Sequence, residues 1–146
     1  MADYRTEASV LAINNLTEDE ITWLEEEFSV DPEDMEEEEQ AAWAELREMP
    51  ATEHWGFSHT IIKHKGEGEC LHIYNDDDFD VENAAGFLHY FIEQRRPDYV
   101  IGFEWANTCS KARLDAFGGG AVVITKDELV WLSTNCWLEE EMRNHR

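Results

Sequence analysis

Residues 1–53 hold 18 Asp and Glu against two Lys and Arg, whereas residues 54–146 hold 16 against nine. Burying an unpaired carboxylate costs several kcal/mol, roughly, and two local cations cannot neutralise 18 anions. The first third must therefore build one-faced elements that lean on a core supplied largely by the rest. Two helices fit. Thr17-Glu18-Asp19-Glu20 has the form of a capping box, and Ile21, Leu24 and Phe28 follow at helical spacing, which predicts a helix over about 18–28. Asp31-Pro32-Glu33-Asp34 sets a capping Asp before a Pro at the first helical position, with acids where the helix dipole favours them. That second helix is expected to run to about Met49 with Met35, Ala42, Trp43, Leu46 and Met49 as its apolar stripe. Glu36 to Glu39 cover every side of one turn, so Asp31, Glu33, Asp34 and Glu36 to Glu39 are expected on exposed helical surface.

From Trp55 the apolar period shortens to two. Trp55, Phe57, Ile61 and Ile62, then Cys70, Leu71, Ile73 and Tyr74, read as strands joined by the hairpin signal Lys65-Gly66-Glu67-Gly68. After the acidic turn Asn75-Asp76-Asp77-Asp78, Asp80 caps a third helix with Val81, Ala84, Ala85, Leu88, Phe91 and Ile92 inward. Arg95 and Arg96 suit its C-terminal dipole and Pro97 ends it. Strands follow at Tyr99–Trp105, Ala121–Thr125 and Leu129–Leu132, then a short helix over Trp137–Met142. The order ααββαβββα predicts an α+β fold: an antiparallel sheet of about five strands, helices on one side, and an acidic N-terminal helical pair. At 146 residues the chain is expected to be one domain, residues 1–146, divided into an acidic helical part (1–53) and an α+β core (54–146). Leu88, Phe91 and Ile92 should pack on Ile61, Ile73, Phe103, Val123 and Trp105 or Trp131.

A net charge of -23 and a pI near 4.3 exclude partners that need a basic footprint, so direct nucleic-acid binding and attraction to anionic lipid are not expected. No run of 18 apolar residues and no basic-then-apolar start occurs, which points to the cytoplasm. Cys70, Cys109 and Cys136 are odd in number and lack C-x-x-C spacing, as suits free thiols in a reducing compartment.

The acids themselves are the first candidate site. Helix residues rise ~1.5 Å each and B-DNA presents one charge per ~1.7 Å of axis, so a carboxylate-rich helix can imitate a phosphate row. Glu18, Asp19, Glu25, Glu26, Asp31, Glu33, Asp34, Glu36, Glu37, Glu38 and Glu39 would then contact a basic nucleic-acid-binding protein. The plainer reading is a solvated face that maintains solubility. Asp76, Asp77, Asp78 and Asp80 offer oxygen ligands but lack calcium-loop spacing, and a helix-capping turn accounts for them. His54, His59, His64, Cys70 and His72 are borderline-soft ligand types without a zinc spacing. No metal site and no cofactor is expected.

Glycines 118 to 120 permit close approach of a ligand or strand, and with Lys111 and Arg113 nearby they form an alternative anion site. No phosphate-binding glycine motif is present, and a Gly-rich bulge in a hairpin explains Gly118, Gly119 and Gly120 as well. Cys109 has Lys111 and Arg113 close by but no spaced His, so no catalytic residue is assigned. Glu104-Trp105-Ala106, Thr108 to Lys111, Arg113 and Phe117 to Ala121 carry the pattern T-C-S-K-x-R followed by F-G-G-G-A. In this segment, with Arg96-Pro97-Asp98 and the helix before it, the chain resembles small acidic proteins of bacteria, plasmids and phages over about residues 56 to 132. That resemblance implies a bacterial or mobile-element origin and no settled activity. The expectation is a non-enzymatic acidic binding protein, a DNA-mimic inhibitor of anti-restriction or anti-CRISPR type. An anion binder or enzyme around the TCSKxR segment is the first alternative. The second is an oligomeric interaction protein, for which six Trp leave room for exposed anchors.

Overall fold

The computed structural model describes residues 4–30, 34–47, 57–75, 78–113 and 117–146. Its elements are β1 (Tyr4–Glu7), β2 (Ser9–Ile13), α1 (Glu18–Ser29), α2 (Glu37–Arg47), β3 (Ser58–His64), β4 (Gly68–Tyr74), α3 (Val81–Arg95), β5 (Ile101–Cys109), β6 (Gly118–Ile124), β7 (Leu129–Ser133) and α4 (Thr134–Asn144). The class is α+β, with every strand pair antiparallel. The described residues form seven strands in two sheets, β1-β5-β6-β7 and β2-β4-β3, rather than about five in one.

The N-terminal strands account for the difference, and they correct the reading of residues 1–53 as helical. Ala8, Val10 and Ala12 are buried, with exposed or half-buried residues between them. That is period two carried by small side chains. The chain changes sheets at Ala8, where Asn75 closes the corner: its Oδ1 accepts from Ala8 N at 3.0 Å and its N–H donates to Ala8 O at 3.0 Å. A bulge between Leu11 and Ile13 then turns β2 toward α1. Asn15 sits in the left-handed region (φ 52) and donates from its backbone to Glu67 O at 2.8 Å. Gly68 (φ 67) lies against it, and a Cβ there would stand 2.9 Å from Asn15 Oδ1.

Helix α3 is central. Phe87, Leu88, Phe91 and Ile92 are fully buried, and they join Leu71 and Ile73 of β4, Ile101 and Phe103 of β5 and Val122 and Ile124 of β6 in one core. Each such side chain removed from water stabilises the fold by about 1.5–3 kcal/mol. Asp80 caps the helix as expected, accepting from Asn83 N at 2.9 Å. Two core assignments are corrected. Val123 is 45% exposed and Trp131 46%, because Val122 and Ile124 are the inward residues of β6 and Val123 points the other way, opposite Val130. Trp105 is half-buried and meets Trp131 at 6.0 Å between ring centroids.

The acidic segment also departs from expectation. Helix α2 begins at Glu37, not near Pro32; Asp34 and Met35 precede it in a turn, and Asp31 and Glu33 lie outside the described residues. Trp43 is buried but Ala42 is exposed, while Met49 lies outside the described residues. Helix α4 extends beyond the expected Trp137–Met142 at both ends. Among the described residues no helix is long and apolar enough to cross a membrane.

Candidate functional site

The acidic face takes its orientation from a buried ion pair. Thr17 and Glu20 form the expected capping box: Thr17 N donates to Glu20 Oε1 at 2.9 Å and Glu20 N to Thr17 Oγ1 at 3.1 Å. The Glu20 carboxylate then meets Arg96, just past α3, whose Nε donates to Oε2 and Nη2 to Oε1, both at 2.7 Å. Arg96 also donates to the carbonyls of Asn14 (2.9 Å) and Asn15 (3.0 Å) and stacks over Tyr99 at 4.8 Å. It therefore does more than the C-terminal dipole role read from sequence. Burial by itself would raise the Glu20 carboxyl, but the Arg96 hydrogen bonds, those of Thr17 and the guanidinium charge outweigh it, and the pKa lies below its ordinary value. Arg96 is raised in turn, chiefly by its hydrogen bond to Glu20.

With Glu20 turned inward, Trp23 packs on Phe87, Tyr90 and Phe91 at ring-centroid separations of 6.2, 5.4 and 5.7 Å, and Leu24 is fully buried. Glu18, Asp19, Glu25 and Glu26 are left on the exposed side of α1. Trp43 anchors α2 to the same core and leaves Glu37, Glu38 and Glu39 exposed in its first turn, with Asp34 and Glu36 exposed just before it. No ion pair among the described residues engages the carboxylates of these residues. Seven residues of helix span roughly 10 Å, so Glu18 and Glu25, like Asp19 and Glu26, are spaced as about three base steps of duplex. Glu45, exposed on α2 seven residues after Glu38, shares its side of the helix; the 3.6-residue period was the signal for it. Beside α1 a shallow cleft of about 400 Å³ is lined by Glu25, Phe28, Ser29, His59 and Ile61. Phe28 and His59 stack there at 3.7 Å, and the shielding of the imidazole from water lowers its pKa although much of the residue is exposed.

The alternative anion residues do not converge on one described pocket. Gly118, Gly119 and Gly120 form strand, not a bulge, paired with Asn107, Ala106 and Trp105. A Cβ on Gly120 would collide with the Leu132 carbonyl and stand 2.5 Å from the Trp105 ring, so this glycine makes room for a tryptophan and a neighbouring backbone. Lys111 and Arg113 are exposed beyond the end of β5. The potential metal ligands are dispersed as well: His64 meets Glu67 at 2.8 Å, His72 meets Ser9 Oγ at 2.8 Å, and Cys70 is buried with its thiol toward Glu67 O. Asp78 accepts from Thr6 N, while His54, Asp76 and Asp77 lie outside the described residues. No group of three or more His, Cys, Asp or Glu fit to hold a metal occurs among the described residues.

A second group of exposed apolar residues was not read from sequence in this place. Val130, Trp131 and Leu132 of β7 and Trp137, Leu138 and Met142 of α4 are each 46–53% exposed. The uninterrupted run Leu129-Val130-Trp131-Leu132 was the signal, since an inward strand of one sheet face should alternate. Comparison of the chain with protein-family models, with curated proteins and with solved structures finds no match.

Proposed function

We propose that this chain is a non-enzymatic binding protein whose α1–α2 face occupies the basic groove of a nucleic-acid-binding protein, in the place of a phosphate row. The observation that carries the reading is that Glu18, Asp19, Glu25, Glu26, Asp34 and Glu36 to Glu39 are all exposed and unengaged by any described cation, while the one acid of this set of helices that meets Arg96 is the one that orients α1. The cleft beside Glu25 adds an aromatic floor next to a carboxylate, a pairing suited to an arginine side chain of the partner. In the bacterial or mobile-element setting that the resemblance implies, a restriction or CRISPR nuclease in the cytoplasm is the natural partner class. Attraction between a -23 chain and a basic groove accelerates association at low salt and fades as the Debye length shrinks to about 8 Å at physiological ionic strength. The test is capture from bacterial lysate on the immobilised chain, eluted by a salt gradient and separately by duplex DNA. A captured nucleic-acid-binding protein released by both supports the proposal; captured proteins that resist both eluents oppose it.

A further inference from the structure

The cleft beside α1 brings different chemistries within one short reach. Glu25, Phe28 and Ser29 line it from the last turns of α1, and His59 and Ile61 line it from β3. At about 400 Å³ it stands at the small end of ligand pockets, roughly 300–1,000 Å³, which suits one long side chain better than a second structural element. Phe28 leans on the core, 4.9 Å from Phe87 and edge-on to Phe57 at 6.3 Å, and it carries His59 at 3.7 Å with the two planes 12° apart. The ring surface left to a ligand is therefore the outer face of His59, which is exposed. Shielding of the inner face from water favours the neutral imidazole, so a cation meets a flat uncharged plate. Beside it the Glu25 carboxylate is exposed and engaged by no described ion pair. Ser29 Oγ donates its proton to Glu26 O at 2.8 Å and keeps its lone pairs for a further donor, while half-buried Ile61 supplies an aliphatic wall.

We infer that this cleft is a guanidinium-selective subsite that takes one arginine side chain of the partner and discriminates against lysine. The guanidinium lies flat on the outer face of His59, its N–H fork donates to the Glu25 carboxylate and Ser29 Oγ, and the methylene stem runs along Ile61. A planar guanidinium stacks on a ring and donates sideways at the same time. An ammonium is a compact, strongly hydrated charge that would have to shed water against the ring and has no fork to offer. The inference rests on the proposed acidic face for the identity of the partner, and it assigns the two parts different work. The carboxylates of α1 and α2 attract any basic groove, whereas the subsite recognises one that presents an arginine at a fixed place. Its contacts are short-range, so they persist at salt that screens the long-range attraction.

The test needs no partner. The full chain is titrated with N-acetyl-arginine methylamide and with N-acetyl-lysine methylamide at neutral pH and about 0.15 M salt, and binding is followed by NMR of the Ile61 methyl and His59 ring resonances. Each probe carries one positive charge, so general attraction to a chain of net charge -23 is common to both and cancels in their ratio. The arginine probe is expected to bind at least about fivefold more tightly than the lysine probe. Glu25→Gln and His59→Ala should each weaken arginine binding about 3–10-fold, and His59→Phe, which keeps a ring, should recover most of the loss. Changing Glu36 to Glu39 together to Gln should leave it within about twofold, since those residues do not line the cleft. Circular dichroism shows whether each variant folds, and Glu25→Gln, at an exposed helix position, provides the measurement should His59→Ala perturb β3. Equal affinity for the two probes, or arginine binding indifferent to Glu25→Gln, overturns the inference while leaving the carboxylate row of α1 and α2 untouched. Selective arginine binding by a chain that captures no nucleic-acid-binding protein supports the subsite and opposes the proposed face, so the two fail separately.

Discussion

Replacing Arg96 by Leu removes six interactions at once: two hydrogen bonds to Glu20, one each to the Asn14 and Asn15 carbonyls, and the contacts of the guanidinium with the Tyr99 and Phe91 rings. Glu20 would remain inward at 5% exposure, and the Glu20 and Arg96 side chains are 7% and 19% exposed in the pair. Deleting one partner of a buried ion pair typically costs about 3–5 kcal/mol. The Thr17 capping bonds survive and Leu recovers some packing, so a loss of about 3 kcal/mol is expected. With a urea slope of about 2 kcal/mol/M, the unfolding midpoint should fall by about 1.5 M. Glu20→Gln with Arg96→Leu keeps the capping box, since Gln serves at the same position, and removes the unpaired charge; it should be more stable than Arg96→Leu alone by about 1–2 kcal/mol. The pair also has a pH signature. Because the folded-state pKa of Glu20 is lowered, its contribution is complete above the ordinary value of 4.5 and is lost as pH falls through the lower folded value. The same fall in pH relieves repulsion in a chain of charge -23, so the effect is read as wild type minus Glu20→Gln. An Arg96→Leu loss below about 1 kcal/mol, or a double variant no better than the single, would refute the assignment of Arg96 as the anchor of α1.

Phe91→Ala should cost about 3–5 kcal/mol in denaturant unfolding, because Phe91 is fully buried at the centre of α3; a loss under about 1 kcal/mol would misplace the helix. Gly120→Ala should destabilise by about 1–3 kcal/mol and disturb Trp105, visible in its fluorescence, since the added carbon meets the Leu132 carbonyl and the indole; an unchanged midpoint would return the glycines to the anion-site reading. His59 titrates below its ordinary 6.5, so the stability it favours is present above that pH and declines as pH falls through the lower folded value. His59→Phe should flatten the stability profile in that window, and an identical slope in the variant would contradict the lowered titration of His59 as its cause.

What was legible in the sequence was local. Thr17–Glu20 and Asp80 declare their caps within four residues, and the 65–68 turn declares its hairpin. Pairing at long range left weaker marks. Tyr4 opposite Cys109 and Val10 opposite Ile73 cannot be inferred from either partner alone, and the small residues of β2 make a faint alternation. Val122 and Val123 are chemically identical neighbours, so period two gives no phase there without the register to β5. Arg96 reads equally well as a dipole cation or as the partner of an acid 76 positions away, and the latter is what forms. The acids of α1 and α2 were legible because charge cannot be buried cheaply. The exposed apolar residues of β7 and α4 were not, because apolar residues are by default read as inward, and only the folded chain reveals Trp137 and Val130 as exposed.

The most direct test of the acidic-face proposal is displacement of fluorescently labelled duplex DNA from the captured partner, followed by anisotropy as this chain is added. Glu36 to Glu39 are changed together to Gln and then to Lys. Glu37 to Glu39 are the first turn of α2, where cations oppose the helix dipole by about 0.3–1 kcal/mol each, so the Gln set removes charge at the smaller structural cost and circular dichroism monitors both. Displacement by the wild type is expected, weakened at least about tenfold in the Gln set and abolished in the Lys set, with Lys111→Ala/Arg113→Ala unaffected. Full displacement by a folded Lys set, with loss in the Lys111/Arg113 variant, would contradict it and place the function at the TCSKxR segment.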